Sequence, residues 1–420
     1  MIYIPSRMGQ LNRRVLLRQL QKLGVASRAD LAKSLGMSQP TAGKIVDELL
    51  ESNVLEEVDA AVATPGVETV LRGRPGRLLR LNHSSAQLLG IQLGVNETTV
   101  AELSLGGLDR DEWHFSFGLD HTQAQPARVW EAQLTKVAGS MTDKAFLGAL
   151  LSVPGVVDEA SNQVLFSPNL HWTERADLVT LVQRIWPVPV LLVQEERVLA
   201  LGHHLTHPDC EDFLLVDFGE GVGGAIVVNG KPLENPLPIS GELGHTPALG
   251  NQRRCGCGAV GCLETLVSVR GLLESFAAEH PGALVSWPAV CEQVARSGIE
   301  PWLAQALEAA AVAIAGALNV LGLRQVVITG SLTELPPVVM EHLSRAIENG
   351  AMWARFGKVD CVSAPRRRTA GLVAVGIDRL VVPDRPEKES WASPKPKISR
   401  GKPSRTKISH GKASALKVVN

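Results

Sequence analysis

The chain has 420 residues, too many for one hydrophobic core, and its 45% apolar and 20% charged content is that of a globular protein rather than a disordered or collagenous one. The formal net charge of −1 hides a segregation. Residues 7–44 hold eight Lys or Arg against one acid, Asp30, residues 384–420 hold ten against three, and the stretch between is acidic. The basic ends point to a polyanion partner. No apolar run is read as long enough to span a bilayer and no apolar leader follows Met1, so the expectation is a cytoplasmic protein without membrane insertion.

Three helices are expected first. Val15, Leu16, Leu20 and Leu23 form one stripe of a helix over 12–23, which Gly24 ends. Ser27 caps a second helix reaching Leu35, with Ala29, Leu31 and Ala32 on its inner face, and Gly36 permits the turn that follows. Ser38 caps a third helix with Pro40 in its first turn and Ile45, Val46, Leu49 and Leu50 as its buried face. Helix, glycine turn and capped helix make a helix-turn-helix, and residues 54–58 read as a wing strand. The start of the third helix, with Ser38, Gln39, Thr41, Ala42 and Lys44, is set to enter a DNA major groove. There Gln39 suits an adenine and Lys44 a guanine or a phosphate. Arg13, Arg14 and Arg28 suit phosphates. Arg72 and Arg74, in the run Arg72-Gly73-Arg74-Pro75, form either a minor-groove arm or a plain linker. The expected bounds are a winged helix-turn-helix over 1–72 and a basic linker over 73–86, although 78–81 can return as a strand.

The next region, 87–383, opens with strands near 89–93, 99–105 and 113–117, a helix over 128–141 and an apolar strand over 146–153. Further strands at 188–193, 213–217, 225–228 and 325–329 alternate with helices, and Asn229-Gly230 marks a hairpin. An Ala-rich helix is expected over 302–321. This is an α/β plan, and the similar strand pattern near Phe213 suggests an internal duplication. The tail, 384–420, is rich in Lys, Pro and Ser and too poor in apolar residues to fold alone.

Within residues 241–265, His245 is followed by Cys255, Cys257 and Cys262 among glycines. One His with three Cys is a closed tetrahedral set for Zn2+, and the glycines let the three sulfurs converge. With no ligand position open to water, the zinc is expected to be structural.

The runs Gly241-Glu242-Leu243-Gly244-His245 and Cys262-Leu263-Glu264-Thr265, with the cysteines between them, resemble the signature of the ROK family (repressors, open reading frames, kinases). Residues 153–158, Ser167-Pro168-Asn169-Leu170 with Trp172, and Asp217 to Gly224 resemble its central turn, sugar loop and second phosphate loop. The resemblance implies a two-lobed, actin-like sugar-kinase fold and a homodimer or homotetramer. The added head resembles the family's repressor branch. The resemblance also implies sugar-binding roles for Asn169, Glu242, His245 and Glu264, with His245 shared between zinc and sugar; alternatively, Glu242 and Glu264 persist as supports of the zinc loop.

The kinase machinery looks broken. Where the family has D-x-G-G-T-K, this chain has Gln92-Leu93-Gly94-Val95-Asn96-Glu97, so Val95 crowds a phosphate and Glu97 repels it. Where the family has E-N-D, the chain has Gln194-Glu195-Glu196. Ungapped, Glu196 falls on the catalytic Asp, and a one-residue slip would put Glu195 there. Both are carried as sugar-site residues. Glu220 disfavours a phosphate in the second loop, which reads equally as a Gly-rich hairpin start. The expectation is therefore a non-enzymatic repressor of carbohydrate genes that binds a pseudo-palindromic double-stranded DNA operator and senses a sugar or sugar phosphate. A ROK sugar kinase and a repressor controlled by a protein partner are the alternatives.

Overall fold

The computed structural model describes residues 5–58, 77–83, 87–106, 113–141, 146–233 and 239–382. The wing loop, the Arg72 and Arg74 arm and the basic tail lie outside the described residues.

The head consists of α1 (Pro5–Leu23), β1 (Ala26–Ser27), α2 (Arg28–Ser34), α3 (Gln39–Glu51), β2 (Leu55–Val58) and β3 (Leu78–Leu81). Ser27 and Asp30 form a reciprocal capping box at the start of α2, and the Ser38 hydroxyl accepts the Thr41 N–H at the start of α3. The strands form an antiparallel sheet in the order β1-β3-β2, with Leu55 opposite Leu81. This moves the domain boundary: residues 78–81, assigned to the linker 73–86, supply the head's central strand. Leu79 and Leu81 explain why, since both are buried in one cluster with Leu16, Leu17 and Leu20. The inward stripe of α1 is therefore 16, 17 and 20, while Val15 and Leu23 are exposed, and the helix begins seven residues before the expected start.

The body is built twice from one pattern. The first lobe carries β4 (Leu88–Leu93), β5 (Glu97–Leu103), β6 (Phe115–Gly118), α4 (Pro126–Ser140), β7 (Gly148–Val153), a β8–β9 hairpin (Val156–Asp158 and Gln163–Phe166), α5 (Leu178–Ile185), β10 (Val190–Gln194) and α6 (Glu195–Thr206). Its sheet runs β10-β7-β4-β5-β6. The second lobe carries β11 (Phe213–Phe218), β12 (Val222–Val228), β13 (Lys231–Pro232), α7 (Glu264–Val267), α8 (Val269–Glu279), α9 (Trp287–Ser297), α10 (Pro301–Leu321), β14 (Gln325–Gly330), α11 (Pro337–Gly350) and β15 (Asp360–Ser363). Its sheet runs β13-β12-β11-β14-β15. In each lobe the first three strands are antiparallel neighbours, and two parallel strands extend the sheet on the other side of the first. The sequence hint of duplication is thus a repeated topology. Asn229 and Gly230 both take positive φ, as the tight hairpin between β12 and β13 requires.

The last helix among the described residues, α12 (Arg368–Gly376), crosses back to the first lobe, packs on α6 and ends in a π turn at Ile377–Val381. The contact is backbone on backbone. A Cβ on Gly202 would lie 1.9 Å from the Arg367 carbonyl oxygen, and one on Gly371 would lie 1.9 Å from that of Val198. Leu372, Val375, Ile377 and Val382 share a single buried cluster with the head's Leu16, Leu17 and Leu20. One expectation is corrected: α10, at 21 residues, is long and apolar enough to cross a membrane by length and composition. Leu303, Leu307, Ile314 and Leu318 are buried in the second lobe's core, while Val312 and Val320 are exposed.

Candidate functional site

A cavity of about 400 Å³ lies between the two sheets, walled by strand ends and by the loops that follow them. The structure brings Asn169, Glu195, Glu196, Glu242, His245 and Glu264 into the lining of this one cavity, together with the two glycine loops. Trp172 is elsewhere: its Nε1 donates to His121 at 3.1 Å and its ring packs against Trp130.

Because β10 runs directly into α6, Glu195 and Glu196 open a helix at the cavity floor. Their roles differ. Glu195 is saturated, accepting from Gln92 Nε2 at 3.2 Å, from the Ser152 hydroxyl and from Arg368 Nε. Glu196 lies against Gly223, where a Cβ would meet its carboxylate at 2.4 Å, and its Oε2 is buried without a hydrogen-bond partner. Burial, and then the charge of Glu195, push the Glu196 carboxyl well above the usual range. Glu264 accepts the Val222 N–H at 2.9 Å. Burial raises Glu242, against the pull of His245, whose Nε2 is 3.7 Å away.

Two cations missed in the sequence complete the site. Arg366 grips Asp217 through Nε and Nη2 at 2.7 and 2.8 Å, and Thr329 donates to the same carboxylate at 2.7 Å. Burial would raise the Asp217 carboxyl, but the Arg366 guanidinium outweighs it and holds it below the usual range. Arg368 closes on Glu195 from the first residue of α12. The available signal was the run Pro365-Arg366-Arg367-Arg368 ahead of a small and apolar segment.

Arg366 Nη2 lies 2.6 Å from where a Cβ on Gly219 would be, so the guanidinium sits against the second glycine loop. Val95, Glu97 and Glu220 line the same cavity.

Behind the cavity wall, the ligand atoms of His245, Cys255, Cys257 and Cys262 all lie within 4.8 Å of one another. Cys255 Sγ is 3.6 Å from His245 Nδ1, and Cys257 Sγ is 3.6 Å from Cys262 Sγ. A tetrahedral ion with bonds of roughly 2.0–2.3 Å has edges of about 3.6–3.8 Å, which these two pairs match, so the set could hold a metal. Burial and the two neighbouring thiols push the Cys262 thiol up to about 12, a crowding that a dication would relieve. Nδ1 of His245 faces the sulfurs while Nε2 faces Glu242 and the cavity.

At the other end of the molecule, α3 presents Gln39, Thr41 and Lys44 to solvent. Ser38 is also exposed, but its hydroxyl is committed to the cap and to Thr41 Oγ1 at 2.8 Å. Ala42 is 1% exposed and faces the head's core, so it leaves the set of base-reading residues. Arg28 pairs with Asp47 at 2.6 Å and Arg13 with Glu48, both at the surface. Arg14 is not positioned for phosphate. Its Nη2 donates to the carbonyls of Asp378 at 3.0 Å and Val382 at 2.9 Å, just past α12. Arg18 pairs with the Asp378 carboxylate at 2.7 Å and Lys22 with Asp209 at 3.3 Å. The head is thus fastened to the body rather than hung from a linker.

Residues 88–376 match the ROK family. The xylose repressor of Caldicellulosiruptor bescii is 25% identical over 393 residues, covering 89% of this chain and 96% of that one. The DNA-binding transcriptional dual regulator NagC of Escherichia coli K12 is 25% identical over 362 residues, covering 82% and 86%. Among solved structures, a ROK family transcriptional regulator described as a homolog of the E. coli MLC protein superposes with a TM-score of 0.68 at 22% identity, over 88% of this chain and 96% of that one. A ROK glucokinase from Streptomyces griseus, solved with glucose and AMPPNP, gives a TM-score of 0.55 at 18% identity, over 68% of this chain and 97% of its own.

Proposed function

This chain belongs to the ROK family, and from that premise we propose that it is a sugar-responsive transcriptional repressor whose body no longer transfers phosphate. One observation carries the reading: a helix-turn-helix head is packed, through a shared core, onto a two-lobed body in which Arg366 sits against the second glycine loop. The xylose repressor and NagC align over 89% and 82% of this chain, more than the body alone occupies.

The α6–α12 pair supplies a path from effector to operator. Both helices begin at the cavity, with Glu195 and Arg368 bound to each other. They cross through Gly202 and Gly371, where side chains are too small to absorb a shift. The turn after α12 then holds Arg14 and Arg18 of α1. A sugar that draws the lobes together moves α12 against α6 and therefore moves the head. In a homodimer, the form that reads a two-fold pseudo-palindrome, this changes the spacing of two recognition helices. Gln39 and Lys44 contact base edges, and Thr41 and Ser38 set the first turn of α3. Zn2+ at His245, Cys255, Cys257 and Cys262 is structural, fixing the imidazole that borders the sugar. Reduced thiolates and a DNA ligand both belong to the cytoplasm.

The test is fluorescence anisotropy on an operator selected from random duplexes with the full chain. Tight, sequence-dependent binding released or strengthened by a sugar is expected, with no sugar-dependent ATP hydrolysis above background. Turnover that vanishes in Glu196→Gln would restore the kinase reading. Binding indifferent to every sugar would favour control by a protein partner.

A further inference from the structure

Residues 384–420 lie beyond the ROK match, which ends at 376, and none of the roles assigned above falls on them. Their charge is ordered. All three acids fall within 384–389, and residues 395–420 hold eight Lys or Arg and no acid. Lysine recurs at every fifth position, at 397, 402, 407, 412 and 417. Two positions before the first three of these stand Lys395, Arg400 and Arg405, and before the fourth stands His410. Serine closes four of the five units, at 399, 404, 409 and 414. The fourth position of the unit is Ile398, Pro403, Ile408, Ala413 and Val418 in turn. A five-residue period turns successive ones to different sides of a helix or to opposite faces of a strand, so it builds no apolar stripe. That disfavours a groove in a partner protein or a membrane surface as the target, since both read such a stripe. An evenly spaced line of cations suits a polyanion that is itself a repeating line of charge, and duplex DNA carries one phosphate per about 1.7 Å of its axis.

The point where this segment begins is at the DNA-reading head. Val382 is buried in the cluster that also holds Leu16 of α1 and Ile45, Val46 and Leu49 of α3, and its carbonyl accepts from Arg14 Nη2 at 2.9 Å. The chain therefore leaves the body at the core on which the recognition helix rests. From Pro383 to Arg400 there are 17 residue steps. They span no more than about 60 Å, less than two turns of duplex at about 34–36 Å each. One tetrapeptide pattern recurs on the two sides of this junction: Arg72-Gly73-Arg74-Pro75 ahead of β3, and Arg400-Gly401-Lys402-Pro403 in the second unit. Glycine and proline beside two cations make a slim basic segment, which a narrow A·T minor groove attracts.

Building on the repressor reading, we propose that residues 395–417 are a second DNA-binding element, which holds the duplex flanking the operator half-site read by α3, with Arg400 and Lys402 in an A·T-rich minor groove. Once α3 is seated, the tether makes this contact intramolecular, so it raises operator affinity without any new reading of the major groove.

The experiment is fluorescence anisotropy on the full chain at several salt concentrations, with three duplexes that share one selected operator. One is trimmed at the operator's edges, one is extended on each side by about two turns of A·T sequence, and one is extended equally by G·C sequence. The A·T-flanked duplex should bind at least about tenfold more tightly than the trimmed one, and more tightly than the G·C-flanked one. Two full-length variants accompany the wild type. Replacing all eight Lys and Arg of 395–417 by Gln should abolish the flank advantage and lower the salt slope by up to about 7, at about 0.9 per phosphate contact, while melting and preference for the operator over a scrambled core stay as in the wild type. Arg400→Ala with Lys402→Ala should keep most of the slope and lose the preference for A·T over G·C flanks. A wild type that binds all three duplexes alike overturns the proposal. So does an eightfold variant that binds as tightly as the wild type or more tightly, the latter being the mark of a tail held on the acidic body instead. A wild type that does not prefer the operator to a scrambled core refutes the repressor reading, while the flanked and trimmed duplexes still judge the tail.

Discussion

Replacing Arg14 with Ala tests whether the head is docked or free. Sequence alone made Arg14 a phosphate contact; the structure spends it on the carbonyls of Asp378 and Val382, with the Asp378 carboxylate 3.4 Å from its Nε. Its side chain is 19% exposed, so solvent screens the interaction only in part. A hydrogen bond from a charged donor contributes roughly 1.5–3 kcal/mol net, and a part-exposed ion pair less than about 1 kcal/mol. Two such bonds share one guanidinium and do not add fully, so the loss should be about 2–4 kcal/mol. Against a total stability on the order of 5–15 kcal/mol this is a large fraction, and it weakens the docking of the head on the body. Calorimetry on wild type and Arg14→Ala should show an earlier transition, and sugar-driven change in operator affinity should shrink. The slope of log affinity against log salt should stay the same, because no phosphate contact is lost. A slope reduced by about 0.9 with unchanged melting is the signature of a phosphate contact and would refute the docked head.

Cys257→Ser should lower bound zinc well below the roughly one per chain expected of the wild type and destabilise the 241–265 loop, read by metal analysis and by melting with and without chelator. Gln39→Ala should cost about 1–3 kcal/mol against the selected operator and little against random duplex, because it removes a base contact and no charge. His203 is 3% exposed, and burial, then His207 and His204, depress it to about 4, so the folded state favours the neutral ring. Its contribution is present above about pH 6.5 and is lost as pH falls from there toward 4, because only the unfolded chain takes up the proton; the ceiling is about 3 kcal/mol. His203→Phe keeps a ring against His207 and Phe213 and should flatten urea stability over that interval. An unchanged acid slope would remove His203 as the cause.

The sequence by itself determined what rests on local chemistry. The caps Ser27 and Ser38, the turn at Gly36, the Asn229-Gly230 hairpin and the apolar strands were legible because each needs only neighbours in the chain. The His245–Cys262 set was legible for the same reason: its ligands lie within 18 residues and their chemistry admits few uses. Tertiary structure decided the rest. Nothing local separates Glu195 from Glu196; only the arrival of Gln92, Ser152 and Arg368 from distant segments saturates one and leaves the other open. Arg14 looked like any basic residue on a DNA-binding helix until the turn after α12, more than 350 positions later, set two carbonyls before it. Residues 78–81 belong to the head because the alternation of Leu79 and Leu81 matches the core that Leu16, Leu17 and Leu20 build. In each case the partner is remote in sequence, and burial and charge pairing are set by which surfaces meet once the chain has closed.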